Sequence, residues 1–550
     1  MINKKWNNWQ RSLFWVSCIL LLLFVGVTIA GWIVERRFPK ILTRAVQEKS
    51  EGVYQLTFKD LHVSLWSGSL GLRQVHLTPD TAAYQRQKDK SAKLYKVSVD
   101  AIQVSGFSVW RFIFSKKVDV QTIAVDRPSI LQVNMNTKQP KKEKQDWQQR
   151  LQQLLPDGKM GLFSIRNLRF KSTDHLRDSS ANGWLSQVDV DVKQVTFHEK
   201  ARQDTSRCWF AKDIRIHGTH IRYTSTDGLY QFRLNKLDIS TQQQRLAIDS
   251  LRVIPQYNET QWSTKLPYKR DRYDMLYPKI EAAHIAFKKL ETQGRLLVDT
   301  LSIIHPILRI YADKGMPEHT TIASNNFPSL ALQRLKLPIT VKQINLKNID
   351  LYYKERNPKS GRAGVVFFKQ LNGKLMHVSN DKMELKQSPW IICHFSTFFL
   401  GQPRLTLDLN FNMLDTAGGF NYKGTLAGAP ASLFNQILEP LTLARAEQGY
   451  IDQIRFDVKA NRYGAQVKTT MLYHDFKMAL LDAESGKLEK KGLFSLFINW
   501  VAIKKNNPDK PGEAPRMAEH RYAHDQERTF FNLMWKAVYS GLKVNLGLPK

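Results

Sequence analysis

Apolar and polar positions along this chain follow one six-residue order that keeps returning: apolar, polar, polar, apolar, polar, apolar. It is spelled FKDLHV at 58–63, LRQVHL at 72–77, VDAIQV at 99–104, IRNLRF at 165–170 and VKQVTF at 192–197. It returns as LNKLDI at 234–239, IDSLRV at 248–253, VDTLSI at 298–303, LKNIDL at 346–351 and IDQIRF at 451–456. A shuffled chain of the same apolar content holds on the order of two such words, against ten in this chain. The fourth and sixth places alternate as in a strand with one buried face, while the first is out of phase with them by one residue. Each word therefore predicts a bulge or a strand boundary in its middle. Two longer stretches repeat the arrangement: Ile214, Ile216, Ile221 and Tyr223 match Ile344, Leu346, Leu351 and Tyr353 at a constant offset, with Gly218 and Asn348 where the phase slips.

The words at 58 and 72 are separated by WSGS and those at 234 and 248 by a polar run, the spacing of antiparallel hairpins. The expected fold is mainly β, a long and mostly antiparallel sheet with one apolar face over residues 51–430. A few peripheral helices interrupt it. Residues 141–155 place Trp147, Leu151, Leu154 and Leu155 on one stripe, predicting a helical insertion. Residues 431–448 read as a second helical region broken near Pro440. Residues 504–528, with three prolines and mixed charge, read as a linker. Phe530, Phe531, Met534, Trp535, Val538 and Leu542 then recur at helical spacing, predicting an amphipathic helix over 529–544.

One segment stands apart from this pattern. From Ser12 to Val34 no residue is charged, a run slightly longer than the roughly 20 residues that cross a hydrocarbon core. Trp15 and Trp32 sit near its ends, Lys4, Lys5 and Arg11 precede it, and Arg36, Arg37, Lys40 and Arg44 follow it. Basic flanks on both sides leave orientation open; a short head, 1–11, in the cytoplasm and a large exported body is the usual outcome, because long domains translocate regardless of charge. Residues 35–50 then form a juxtamembrane segment. The rival reading is a signal peptide cleaved after Thr28-Ile29-Ala30, against which stands a run longer than the roughly 7–15 residues of a signal core.

The formal charge of +33 suits anionic lipid headgroups, acidic glycans or nucleic acid. Lys and Arg are spread over the whole length and no zinc finger or RNA-recognition signature occurs, so no nucleic-acid partner is expected. Cys18 lies in the apolar run, leaving Cys208 and Cys393 as the thiols of the body; they pair only if their Cα atoms come within about 7 Å. No P-loop, GxGxxG, GxSxG, HExxH or CxxC is present, and the chain is read as neither an enzyme nor a holder of a metal or cofactor. His217 and His220, three apart on a strand, point to opposite faces and make poor metal ligands. Asp189 and Asp191 share a face and read as a solvated strand surface. Phe531, Trp535 and Val538 either pack onto the end of the sheet or dock to a membrane or partner.

Four phrases carry a family likeness: YQLTFKDLHVSLWSGSLGLRQVHLTPD, DVQTIAVDRPSILQV, LVDTLSIIHPILRIY and LEPLTLARAEQGYIDQIRFDVKANRYGAQVKTTMLYHDFKMALL. With the N-terminal apolar run, they resemble the AsmA-like proteins of diderm bacteria, in the same broad class as TamB. The likeness assigns 431–481 to an AsmA-like C-terminal region and leaves 482–550 as an extension. It implies a single-pass inner-membrane anchor and a periplasmic body whose elongated, curved sheet folds into an apolar-lined groove. The implied role is phospholipid transport or outer-membrane homeostasis, with lipids, the inner membrane and envelope proteins as partners and no catalytic residue. On this reading Leu61, Val63, Leu168, Phe170, Ile221, Tyr223, Leu351 and Tyr353 face into the groove. The alternatives are an assembly factor that influences outer-membrane protein biogenesis without carrying lipid, and an envelope enzyme, for which no nucleophile or metal constellation is found.

Overall fold

The computed structural model describes residues 35–87, 93–115, 117–135, 157–173, 183–317, 323–358, 360–481 and 503–548. The apolar run 12–34 and the expected insertion 141–155 lie outside these residues. Among the described residues no helix is long and apolar enough to cross a membrane. The chain is mainly β and divides into two compact units, Met1–Thr226 with Leu234–Gln243, and Asp227–Arg233 with Gln244–Lys550.

In the first unit β1 (Tyr54–Thr57) and β2 (Asp60–Ser64) both pair antiparallel with β3 (Ser69–Pro79), which pairs with β4 (Lys93–Ser105). The far edge of β4 is shared between β5 (Asp119–Asp126) and β6 (Ser129–Asn134), and both of these run parallel to β7 (Lys159–Thr173). Strands β8 (Gly183–Thr196) and β9 (Asp213–Thr224) follow antiparallel. Strand β10 (Tyr230–Ser240) has residues in each unit.

The second unit repeats the device. Strand β11 (Arg245–Pro255) pairs with β12 (Arg272–Ile285), whose far edge is shared between β13 (Leu296–Ile304) and β14 (Ile307–Asp313), both parallel to β15 (Ile339–Arg356). Antiparallel strands β16 (Ala363–Ser379), β17 (Trp390–Phe399), β18 (Arg404–Asn412) and β19 (Phe420–Leu426) follow. Strand β21 (Ala444–Asn461) pairs with β19 and with β20 (Ala429–Pro430), and then with β22 (Gly464–Leu480), which pairs with β23 (Met517–Ala523).

The split strands β5/β6 and β13/β14 are two of the phrases that carry the likeness, and each breaks at a residue followed by proline. Proline has no N–H to donate and a fixed φ, so the ladder is interrupted there. Arg127 (φ 47°) and His305 (φ 55°) turn the chain at the break. Arg127 donates its N–H to the carbonyl of Arg166, and Arg169 donates to Pro128; in the second unit His305 donates to Lys347, and Asp350 to Pro306. The two units therefore carry the same five-strand arrangement, with the same two hydrogen bonds at the break.

The phase slips also have a common origin. Five of the ten words hold a left-handed residue at their third place: Gln74, Asn167, Gln194, Ser250 and Asn348. FKDLHV straddles the boundary between β1 and β2, and IDQIRF contains a register shift between Ile451 and Gln453. VDAIQV, LNKLDI and VDTLSI pass without a left-handed residue. The slip brings the first and fourth places to one face: Leu72 and Val75 share one apolar cluster, and Val192 and Val195 another. In the 214–223 stretch the left-handed residue is His220 (φ 54°), not Gly218. Gly218 is buried instead, because a Cβ there would lie 3.2 Å from Ile221 Cδ1 and 3.4 Å from Val188 Cγ2.

Two further expectations are corrected. Residues 431–448 are helical only as far as Thr442, with Pro440 inside the helix Asn435–Thr442; Leu443 turns left-handed and Ala444 opens β21. Pairing with β22, from Ala444 opposite Leu480 onward, overrides the helical preference of Ala-Arg-Ala-Glu-Gln. Residues 504–528 are not simply a linker, since β23 lies within them, with Ala518 buried and Tyr522 packed on the core while Glu519 and Arg521 point outward.

Candidate functional site

Residues directly opposite each other in a ladder project to one face of the sheet, so the pairings trace rows of side chains across each unit. In the first unit Leu61 faces Leu72, Leu72 faces Ile102, and the row continues through Val125, Ile165 and Val190 to Ile216. A second row starts at Val63 and runs through Leu70, Val104, Ile123, Phe163 and Val192 to Ile214. A third joins Leu56, Leu77, Val97, Ile130 and Phe170. Every member is aliphatic or aromatic. Apart from Leu72 they are only partly buried, and the closed apolar clusters of this unit are small.

The second unit has three matching rows. Val253 leads to Met275, Leu308, Leu351, Phe368 and Phe399. Ile248 leads to Ile280, Ile303, Leu346, Gly373 and Phe395. Gly373 is required there: a Cβ would stand 2.6 Å from the Phe395 ring, which fills the space. Leu246 leads to Ala282, Leu301, Ile344, Leu375 and Cys393, and then through Leu409, Tyr422 and Val458 to Val467.

From β17 onward this face is roofed. The C-terminal helix Phe530–Asn545 lays Phe530, Leu533 and Ala537 on it, with Phe327 and Leu330 from the helix region 327–333. Phe434 and Leu438 cover the next cluster along with Leu542 and Leu546. Tyr422 donates its hydroxyl to the Met534 carbonyl at 2.8 Å, locking the helix to the sheet. From β11 to β16 the row members are mostly half-buried, as in the first unit. No model of a known protein family matches this chain, and no curated protein matches its sequence.

The eight residues expected to face inward can now be placed. Leu61 and Val63 head two rows of the first unit; Leu168 lies opposite Val188, and Phe170 ends the third row. Ile221 packs beside Val188 across Gly218, while Tyr223 stands 45% exposed. Leu351 lies between Leu308 and Phe368, and Tyr353 between Ile310 and Val366. Tyr353 donates its hydroxyl to Glu355 at 2.8 Å, and burial pushes its phenol upward. Beyond Tyr353 the apolar face ends at Glu355, which lies opposite Ala312, and burial raises the Asp271 carboxyl.

Phe163, Val190, Met275, Leu308 and Phe368 complete the rows but lie outside the six-residue words. Their alternation was visible; their neighbours were not. Of the C-terminal docking candidates, Val538 packs against the roofed core, whereas Phe531 and Trp535 are 69% and 49% exposed. Asp189 accepts a backbone hydrogen bond from Asn167 at 2.7 Å and Asp191 pairs with Arg166 at 2.7 Å. His217 pairs with Asp238 and His220 reaches Gln187. Among the described residues no three His, Cys, Asp or Glu side chains are grouped to hold a metal. Cys208 and Cys393 are each buried as thiols.

Proposed function

We propose that residues 12–34 anchor this chain in the inner membrane and that its periplasmic body binds lipid acyl chains along the apolar faces of its two units, in phospholipid transport or outer-membrane homeostasis, as an AsmA-like protein. The observation that carries this reading is the run of apolar rows that cross seven strands of the first unit and remain half-buried. Six interstrand steps of about 4.8 Å extend about 29 Å, longer than the roughly 15 Å that one leaflet gives its chains. Each methylene moved from water onto such a face is worth about 0.8 kcal/mol, so a chain is held without a catalytic group. The positive charge of the body suits the headgroups that remain outside.

Native mass spectrometry of the full chain, with extraction of bound lipid, tests the reading. Co-purifying phospholipid, or loading from vesicles, is the expected result. Neither Leu168→Asp nor Leu351→Asp is expected to unfold its unit, because both sites are half-exposed, and each is expected to lower loading several-fold. A chain that carries no lipid and loads none overturns the carrier reading. The exposure of Phe531 and Trp535 favours a second reading in that case, an assembly factor that docks envelope proteins through its C-terminal helix.

A further inference from the structure

Three large apolar side chains are exposed at one tip of the first unit: Trp66 at 52%, Phe112 at 42% and Phe114 at 79%. They come from two places in the chain, the β2–β3 turn and the helix Val109–Ser115, and the backbone clamps these together. Phe107 donates its N–H to the Gly68 carbonyl at 2.9 Å. Gly68 is left-handed at φ 59°, and a Cβ on it would overlap the Phe107 carbonyl oxygen, so only glycine permits the approach. The Phe107 and Phe112 rings lie 5.7 Å apart, and Arg111 is paired with Asp119. The tip is thus a built aromatic surface.

Its position says what covers it. Glu35, the residue after the apolar run, accepts a hydrogen bond from the Val63 N–H at 2.6 Å and lies 3.2 Å from His62. The helix over 35–49 is tied to the same sheet through Leu42, which packs on the Leu72, Val75 and Val99 cluster. Trp66 follows Val63 by three residues, entering the turn at 65–68, and so lies at most about 10 Å from it along the chain. Exposed Arg37 and Lys40 lie on this helix and complement the charge of anionic headgroups. The row of Val63, Leu70, Val104 and Ile123 is the apolar row nearest the tip.

We propose that Trp66, Phe112 and Phe114 insert into the interface of the bilayer that holds residues 12–34, setting the end of the Val63 row against the lipid it takes up. Indole and phenyl groups favour this zone, where an apolar ring meets headgroups. The inference rests on the anchor and lipid face proposed above, and its test separates the three.

The full chain, with Cys18→Ser and Phe114→Cys, is labelled with an environment-sensitive fluorophore and reconstituted into vesicles of phosphatidylethanolamine and phosphatidylglycerol at 3:1. A control carries Tyr463→Cys, an exposed site in the second unit. The label at 114 is expected to shift to the blue and to be quenched by lipids spin-labelled near the headgroup, while the label at 463 is not. The variant Trp66→Ser, Phe112→Ser, Phe114→Ser is expected to keep its circular dichroism and to load lipid from the same vesicles about tenfold more slowly. A chain that floats with the vesicles and loads lipid, yet keeps the label at 114 in water, overturns the tip alone. Loading at the wild-type rate by the triple variant does so too. Absence of flotation removes the anchor together with the tip, and flotation without any loading removes the lipid face.

Discussion

At the scale of single residues, most phase slips of this chain depend on left-handed backbone at residues that are not glycine. Each such residue costs roughly 1–2 kcal/mol relative to right-handed backbone, and the structure offsets part of that with a side-chain acceptor for the displaced N–H. Asp189 takes the N–H of Asn167, Asn372 that of Asn348, and Asp350 that of Gln370. Asp189→Ala leaves the Asn167 N–H without this partner and is expected to destabilise the first unit by about 1–3 kcal/mol. Asp189→Asn, which keeps an acceptor, is expected to cost far less, and urea denaturation of the two variants checks the difference. Half of this was legible: the words located the slip, but the acceptor sits on a neighbouring strand about twenty residues away. A second residue-level expectation concerns Cys393, whose thiol is pushed up to about 12 by burial. It should react with a thiol reagent at pH 8 only as fast as the second unit opens.

At the scale of elements, the C-terminal helix decides where the apolar face of the second unit stops being open. Its helical spacing was readable, but the stripe read from it held Phe531 and Trp535 beside Phe530. The structure buries Phe530, Leu533 and Ala537 and leaves Phe531 and Trp535 exposed, because the surface the helix covers, which was not legible, sets the buried face. His524, buried beside Phe327 at the start of this roof, makes the docking sensitive to pH. Burial holds it below the ordinary imidazole value of 6.5, with the Arg528 backbone and the Asp525 carboxylate opposing only in part. The unfolded chain therefore binds the proton more readily than the folded one. Its contribution to stability is complete above about pH 6.5 and is lost as pH falls from there through the lower folded value. Thermal melts between pH 7.5 and 5 are expected to show this loss, and His524→Phe to flatten it. A melt profile unchanged by that substitution would place the pH dependence elsewhere.

At the scale of the whole molecule, each unit carries the same split-strand arrangement and the same unbroken apolar rows, although the words in it differ. Such repetition of geometry suits a ligand that is itself repetitive, and a string of methylenes is the simplest one. The proposed topology makes a direct demand. External protease added to spheroplasts should degrade the body and spare a short fragment around residues 12–34. Full protection of the body would reverse the orientation and remove the periplasmic role. Loading of lipid onto the full chain should also fall below that of either single variant when Leu168→Asp and Leu351→Asp are combined.

Local periodicity was enough to show which residues alternate, that the alternation slips at seven of the ten words, and that one long run near the N-terminus is apolar; it misplaced the slip of the 214–223 stretch, which falls at His220 and not at Gly218. It also placed the C-terminal helix within a residue of its observed start. Which strands lie side by side, and therefore that Leu61 shares a row with Ile216 and Val253 with Phe399, emerged from the folded chain alone. A period of two states which face a side chain takes, never whose neighbour it becomes. The parallel pairing of β5 and β6 with β7, the strand within 504–528, and the helix-to-strand change at Leu443 all came from partners distant in the chain. Long-range pairing energy outweighs the local preferences that a single sequence reveals.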